Sequence, residues 1–225
     1  MQKVILSLGG SLIVPDAIDG VFLKRFRELI FEKLSTFQFV IFAGGGKVCR
    51  RYQEAGKEIV PISDRNLDWI GIYASRLNAQ LLRSIFAEHA PEEIIVDPSR
   101  KMENDTPLVF GGGWKPGWST DFCAVQYAVA NGFSRVVNLS NIQYVYDKDP
   151  KQFPDAAPIK DISWADFRKL VGDEWKPGLN APFDPIASKL AQEHGIEVVI
   201  ADGTNIQNVR AILEDQPFTG TLIHN

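Results

Sequence analysis

Three short glycine-rich segments are the parts of this sequence best suited to bind an anion. They are Leu8-Gly9-Gly10-Ser11, Ala43-Gly44-Gly45-Gly46-Lys47 and Gly111-Gly112-Gly113-Trp114. Glycine lets the backbone approach a ligand closely, and free N–H groups at such turns attract phosphate. None of the segments fits the spacing of a Walker A loop or of a dinucleotide-binding glycine fingerprint. Each could be a simple turn, but together they predict a site for several phosphates.

Charged and hydroxyl side chains follow these segments. Lys47, Arg50 and Arg51 come directly after the second one, and Arg50 would lie near the start of a helix. A guanidinium there suits phosphate, whereas the alternative is a solvated basic helix face. Thr120-Asp121 opens another predicted helix, where the Thr120 hydroxyl could cap the helix or contact a substrate.

Apolar strand-like runs alternate with runs of helical spacing along the whole chain. Strands are predicted at 4–8, 39–42, 94–96, 108–110, 135–139, 197–201 and 221–223. Helices are predicted at 18–34, 47–59, 64–86, 120–130, 163–171, 185–194 and 206–213. Residues 141–162 are predicted to form a loop or short hairpin, and residues 175–182 a loop. Ser63 would cap the longest helix, whose apolar face would comprise Leu67, Ile70, Ala74, Leu77 and Leu81.

This alternation predicts an α/β protein, a three-layer αβα sandwich with a mainly parallel central sheet. In such a sheet, ligands bind beyond the carboxyl ends of the strands, where the glycine-rich segments would lie. The tetrapeptide Trp-Lys-Pro-Gly occurs at 114–117 and again at 175–178, and the two copies could be similar loops facing one ligand.

The composition narrows the class of protein. The 225 residues are 45% hydrophobic and 23% charged, with a net charge of −4, which argues against a broad nucleic-acid surface. No apolar run approaches the roughly 20 residues of a membrane span, and the N-terminus is predicted to be a first strand rather than a signal peptide. Cys49 and Cys123 suggest a reducing compartment without disulfides. The scattered histidines make a zinc site or a histidine-based triad a poor prediction.

Six segments in sequence order resemble the amino-acid kinase family, and within it the UMP kinases of the archaeal type. The first two are Leu8-Gly9-Gly10-Ser11 and Gly44-Gly45-Gly46-Lys47-x-x-Arg50. The other four are Asp68-x-x-Gly71-x-x-Ala74-Ser75-Arg76-Leu77-Asn78-Ala79, Gly112-Gly113-x-x-Pro116-Gly117-x-Ser119-Thr120-Asp121, Asn141-x-x-x-Val145-Tyr146-x-x-Asp149-Pro150 and Asp184-Pro185-x-Ala187-x-Lys189. Each segment is weak alone, but their order and spacing are specific and span nearly the whole chain.

The resemblance implies transfer of a phosphoryl group from ATP, with Mg²⁺, to UMP. It implies one domain over 1–225, with the acceptor side at about 1–133 and the ATP side at about 134–225. The residues implied to bind UMP are Gly45, Asp68, Trp114, Lys115, Pro116, Gly117, Trp118, Ser119 and Thr120. Those implied to bind ATP are Gly9, Gly10, Ser11, Gly46, Arg50, Ser140, Tyr146 and Asp149. It further implies a cytoplasmic homo-oligomer, often a hexamer, without nucleic-acid or membrane partners. No residue is assigned to a metal.

Two positions depart from the family pattern near the expected reaction centre. Ser7 stands where many members carry lysine, and Gln143-Tyr144 stands where an Asp-Gly pair is usual. Losing one such charged group can cost about 10²–10³ in rate. The hypothesis is that Asp184 or Asp121 supplies the missing negative charge, and that Lys47 or Lys189 supplies the missing cation. Arg50 completes the predicted catalytic set.

Two other functions remain open from the sequence. One is a kinase of the same fold for another small phosphate or carboxylate. Isopentenyl phosphate is disfavoured as its acceptor, because the relevant N-terminal region contains no histidine. The first histidine of the chain is His89. The other is a nucleotide- or oxyanion-binding protein with little catalysis. Trp114 and Trp118 could pack over a base or sugar, anchor their loop, or contact another subunit.

Overall fold

The computed structural model describes residues 1–101, 106–172 and 181–225, and it confirms the alternation of strands and helices. The strands are β1 (Gln2–Leu8), β2 (Phe37–Ala43), β3 (Leu108–Gly111), β4 (Arg135–Ser140), β5 (Val145–Tyr146), β6 (Pro158–Ile159), β7 (Asp161–Ser163), β8 (Glu197–Asp202) and β9 (Thr221–His224). The helices are α1 (Gly10–Ile13), α2 (Gly20–Lys33), α3 (Gly46–Ile59), α4 (Asp64–Ile85), α5 (Thr120–Asn131), α6 (Trp164–Val171), α7 (Pro185–Glu193) and α8 (Ile206–Leu213).

A seven-stranded sheet with the order β3-β2-β1-β4-β8-β9-β7 forms the centre of the molecule. Its first five strands are parallel, β9 pairs antiparallel with β8, and β7 pairs parallel with β9. Every residue of β2, Phe-Gln-Phe-Val-Ile-Phe-Ala, is buried, as expected for a parallel strand covered on both faces. The mainly parallel sheet predicted from the sequence is confirmed.

Helices cover both faces of this sheet. Leu6 of β1 packs in a cluster that includes Phe26 of α2, whereas its neighbour Ile5 packs in a second cluster with Phe122 of α5. The first cluster also takes residues from α4 and α8, and the second from α6 and α7. Successive strand residues point to opposite faces, so these two clusters lie on opposite sides of the sheet and confirm the three-layer sandwich.

Several local predictions are confirmed. Ser63 caps α4 by accepting the Asn66 N–H, Ser163 caps α6, and Pro185 occupies the first turn of α7. The segment 141–162 contains the antiparallel pair β5–β6, so the short hairpin exists. Most of the predicted loop 175–182, with the second Trp-Lys-Pro-Gly, lies outside the described residues.

Three predictions were wrong in detail. The segment 94–96 forms one bridge, from Ile95 to Gly111, because it touches the sheet only at its edge. Ser119 rather than Thr120 caps α5, accepting the Phe122 N–H at 3.1 Å. The predicted apolar face of α4 is rotated, since Leu77 is 64% exposed.

The true inner face of α4 is partly polar, which explains why apolar periodicity misplaced it. Its buried residues are Leu67, Ile72, Ser75, Asn78, Ala79 and Leu82. The polar members bind the backbone of the glycine-rich segments. Among the described residues, every helix is too short or too polar to span a lipid bilayer.

Candidate active site

The three glycine-rich segments meet around a cleft of about 620 Å³ at the carboxyl ends of β1, β2 and β3. This arrangement follows from the parallel sheet, in which those strand ends share one edge. Nine of the predicted site residues line the cleft: Gly10, Ser11, Gly45, Gly46, Arg50, Asp68, Trp118, Ser119 and Thr120. Residues predicted for donor and acceptor nucleotides thus border one space.

The first two segments touch backbone to backbone. A Cβ built on Gly10 would lie 1.9 Å from the Gly46 nitrogen, and Gly46 itself has a φ of +67°. The Gly44 N–H donates to the Leu8 carbonyl at 2.9 Å, which ties the second segment to the end of β1. Glycine is therefore required by the contact between the loops, whether or not a ligand is bound.

Helix α4 holds the second and third segments from behind. The Asn78 Nδ2 donates to the carbonyls of Gly44 at 2.8 Å and Gly45 at 3.2 Å. The Ser75 hydroxyl accepts the Gly113 N–H at 2.8 Å. These buried polar side chains satisfy backbone groups that would otherwise lack partners.

The loop 113–120 is anchored at several points. The Asp68 Oδ2 accepts the Gly117 N–H at 2.7 Å, and Gly117 has a φ of +89°, which favours glycine. Desolvation by its partly buried position raises the pKa of Asp68, and the Gly117 bond opposes that shift. The Arg76 guanidinium donates to the carbonyls of Gly113 and Trp114, both at 2.9 Å. We infer that the loop is held in shape before any ligand arrives.

Aromatic rings pack along the same loop. The Trp118 ring centroid lies 4.0 Å from that of Phe122 and 6.2 Å from that of Trp114. The Lys115 Nζ lies 3.8 Å from the centroid of the Trp114 ring, a cation–π contact. Trp114 packs against the buried cluster beneath α5, so it anchors the loop, while Trp118 also reaches the cleft.

Asp121 is the centre of a polar network that sequence reasoning only partly anticipated. Its Oδ1 accepts the Ser7 hydroxyl and the Asn138 Nδ2, both at 2.8 Å. The residue is partly exposed, but its carboxyl group is enclosed by the ends of β1, β4 and the start of α7. This desolvation, reinforced by the charge of Asp184, raises the pKa of Asp121 to about 6. The signal available in the sequence was polar Ser7 and Asn138 within otherwise apolar strands.

Asp184 caps α7 beside this network. Its Oδ1 accepts the N–H groups of Ile186 at 2.6 Å and Ala187 at 2.8 Å. Its Oδ2 is buried and has no hydrogen bond of normal geometry among the described residues. Burial raises the pKa of Asp184, although the neighbouring Ser119 hydroxyl lowers it. The two candidate carboxylates of the sequence are thus neighbours in space.

The predicted cations occupy different places. Arg50 lines the cleft. The Lys47 Nζ instead binds Asp16 at 2.7 Å, and the Arg51 Nη2 binds the same carboxylate oxygen at 2.7 Å. Lys189 is exposed on α7. Neither Lys47 nor Lys189 is among the described residues that line the cleft.

The residues predicted to border the nucleoside of ATP lie along the segment after β4. Ser140 accepts the Ile142 N–H at 3.4 Å, and the Tyr146 ring meets Tyr144 edge to face at 6.4 Å. Asp149 is exposed and accepts the Lys151 N–H at 2.9 Å. The Gly9 N–H donates to the Leu139 carbonyl at 2.7 Å, which joins the first segment to the end of β4.

Comparison with known protein families gives a clear match. The family described as the amino acid kinase family matches residues 2–202 of this chain. The uridylate kinase of Staphylothermus marinus is 31% identical over 225 residues, covering 99% of both chains. The uridylate kinase of Methanothrix thermoacetophila is 32% identical over 226 residues, again covering 99% of both.

Solved structures agree with the sequence relatives. The crystal structure of uridylate kinase from Archaeoglobus fulgidus superposes with a TM-score of 0.84 at 29% identity, covering 99% of this chain and 100% of that one. The UMP kinase of Bacillus anthracis superposes with a TM-score of 0.74 at 17% identity, covering 99% and 96%, and shows the shared fold.

Proposed function

This chain belongs to the amino-acid kinase family, and we propose that it transfers the γ-phosphoryl group of ATP to UMP, giving UDP and ADP. One observation carries the proposal. The predicted phosphate-binding residues Gly10, Gly46 and Arg50 line the same cleft as Asp68 and the residues Trp118, Ser119 and Thr120 at the end of the loop. The full-length similarity to uridylate kinases supports UMP as the acceptor.

On the acceptor side, we assign the ribose to Asp68. One carboxylate oxygen is used by Gly117, which leaves the other free to accept from ribose hydroxyls in the cleft. Ser119 and Thr120 stand at the start of α5, where free N–H groups and the helix dipole favour a phosphate. The acceptor would then lie in the part of the chain up to about residue 133.

On the donor side, the backbone of Gly10, Ser11 and Gly46 and the guanidinium of Arg50 would hold the ATP phosphates. The base and sugar would extend towards Ser140, Tyr146 and Asp149 in the part from about residue 134. Such transfer needs alignment of the two phosphates and neutralisation of shifting charge rather than a covalent intermediate. Lys47 and Lys189 remain candidates to add positive charge after reorientation.

Mg²⁺ enters this scheme as part of the ATP substrate. No group of three or more histidine, cysteine, aspartate or glutamate side chains that could hold a metal occurs among the described residues. Magnesium in kinases is commonly held through nucleotide phosphates with few protein ligands, and it neutralises phosphate charge there.

We further propose that the protein is a cytoplasmic homo-oligomer, for which the resemblance to the amino-acid kinase family implies a hexamer. Helix α3 has an amphipathic sequence but no buried residue, and several large apolar side chains of α3 and α4 face solvent. Their exposed fractions are 67% for Tyr52, 85% for Ile59, 64% for Tyr73 and 64% for Leu77. Covering such a surface with a second copy would remove apolar area from water. The free thiols Cys49 and Cys123 support a reducing compartment.

A weakly catalytic nucleotide-binding protein is the second candidate. This candidate is favoured by the neutral side chain of Ser7, which lies near the carboxyl end of β1. The Ser7 hydroxyl donates a hydrogen bond to Asp121. A neutral side chain at this point gives less stabilisation of phosphoryl charge than a cation would.

The deciding experiment measures ADP release from ATP and Mg²⁺ with UMP, CMP, dUMP or isopentenyl phosphate as the acceptor. Selective release with UMP is the expected result. Release with another acceptor would reassign the substrate of the kinase. ATP binding without release for any acceptor would favour the binding protein.

A further inference from the structure

The Ser75-Arg76-x-Asn78 segment of α4 is not used by the nucleotide-binding roles proposed above. Its three polar side chains all bind backbone groups of the glycine-rich segments. Asn78 holds the second segment, while Ser75 and Arg76 hold the third. One helix therefore braces both sides of the cleft, with separate side chains for each side.

Arg76 makes the most specific of these contacts. Its Nε donates to the Gly113 carbonyl and its Nη2 to the Trp114 carbonyl, each at 2.9 Å. Two successive carbonyls are thus held by one planar guanidinium, which lysine could not reproduce. The side chain is half-buried and lies 5.8 Å from the Tyr73 ring. No carboxylate pairs with it among the described residues.

The loop backbone at Gly112 and Gly113 is packed tightly against α4. A Cβ built on Gly112 would lie 2.8 Å from the Arg76 Cγ and 2.9 Å from its Cα. A Cβ on Gly113 would lie 3.1 Å from the Ile72 Cα. Because the loop backbone lies directly on α4, a shift of Arg76 would also shift the loop residues that follow Trp114.

We propose that Arg76 is a positioning residue that sets the affinity for the acceptor nucleotide, an inference that rests on the proposed function. Arg76 anchors the start of the loop and Asp68 anchors Gly117. The residues held by these anchors, Trp118, Ser119 and Thr120, line the cleft. Without Arg76, the loop would become ordered only when the acceptor binds. The free-energy cost of that ordering would lower the affinity for the acceptor. The second segment, which includes Gly46 of the ATP side, is braced by Asn78 and not by Arg76, so the affinity for ATP is expected to be preserved.

The test compares Arg76→Met and Arg76→Lys with Arg83→Met. Arg83 is a matched control because it lies on the same helix and its Nε donates to one carbonyl, that of Pro91, at 2.8 Å. The KM for UMP is expected to rise about tenfold in Arg76→Met and less in Arg76→Lys. The KM for ATP and kcat should stay within about twofold, and Arg83→Met should match the wild type.

Hydrogen exchange of the amides at 113–118 in the nucleotide-free protein gives a readout independent of activity. Faster exchange in Arg76→Met, but not in Arg83→Met, is expected. A folded Arg76→Met with unchanged KM for UMP or unchanged exchange overturns the proposal. An equal rise of both KM values also overturns it, since that would mean general loosening. If Arg76→Met does not fold, the same criteria apply to Arg76→Lys.

The absence of UMP-dependent ADP release in the wild type would refute the proposed function instead. The role of Arg76 is then decided by exchange alone, and unchanged rates overturn it.

Discussion

At the scale of single residues, the site depends on carboxylates whose surroundings differ. Asp68 uses one oxygen to hold a loop, and the residue also lines the cleft. Asp121 is enclosed and accepts hydrogen bonds from Ser7 and Asn138, so it links the ends of β1 and β4. The same side-chain type therefore has an assigned recognition role at one position and an internal bonding role at the other.

Replacing Asp68 tests its assignment to the ribose. Asn at this position keeps an oxygen for the Gly117 N–H but loses the charge that strengthens a bond to the 2′-hydroxyl. We expect the preference of Asp68→Asn for UMP over dUMP to fall roughly tenfold. The measurement is kcat/KM for both acceptors, with Asp64→Asn in the first turn of α4 as control. An unchanged preference would show that Asp68 does not bind the 2′-hydroxyl of the ribose.

Replacing Asp121 tests its enclosure through the pH dependence of stability. Its folded pKa of about 6 lies above the ordinary 3.8, so between these values the folded state holds the extra proton. Stability from this group is therefore lost as the pH rises from about 4 to 6, by at most about 3 kcal/mol. Asp121→Asn should thus gain unfolding free energy relative to wild type between pH 4 and pH 8. The measurement is the unfolding free energy from urea denaturation at each pH. The same pH dependence for Asp121→Asn and the wild type would contradict this prediction.

At the scale of elements, the site is made where loops meet rather than by any one loop. The first and second glycine-rich segments pack on each other, and α4 packs behind the second and third. Since the contacts are between backbones, side-chain volume at these glycines would separate the loops.

The substitution Gly10→Ala is the sharpest test of this packing. The new methyl group would lie 1.9 Å from the Gly46 nitrogen and 2.5 Å from its Cα, so the loops must move apart. We expect a loss of about 2 kcal/mol or more in the free energy of unfolding, together with a higher KM for ATP.

The matched control is Gly20→Ala at the start of α2, where a Cβ meets no atom within 4 Å. That variant should be as stable as wild type or slightly more stable. Equal stability of the two variants would show that the contact between the loops is not tight.

At the scale of the whole molecule, the two faces of the sheet are covered within one chain, yet α3 and α4 leave apolar side chains in water. The sandwich therefore still exposes an apolar surface on α3 and α4, with Tyr52, Ile59, Tyr73 and Leu77 among its members, that another subunit could cover.

A charge placed in this surface should disrupt assembly. Leu77 is 64% exposed, so Leu77→Glu should leave the folded subunit intact while opposing burial in an interface. Light scattering is expected to show a fall towards the 25.1 kDa of a single chain. Val21→Glu, at a site 74% exposed on α2, is the control. A Leu77→Glu variant that keeps the assembled mass would place the interface elsewhere.

The order of the main elements, the mainly parallel sheet and the meeting of the glycine-rich segments at one edge of that sheet were predictable from the sequence. These features are local, because they follow from apolar periodicity and from turn residues. The resemblance to the amino-acid kinase family named Gly10, Gly46, Arg50 and Asp68, which do line one cleft.

The three-dimensional packing was needed to show which face of α4 is buried, which partner Lys47 binds and which partners Asp121 binds. The inner face of α4 is polar where Ser75 and Asn78 bind loop backbones, so apolar periodicity could not locate it. Lys47 binds Asp16, and Asp121 meets Ser7, which lies 114 positions away in sequence. Such pairings arise from the crossing of distant segments, and no local pattern of residue types encodes them.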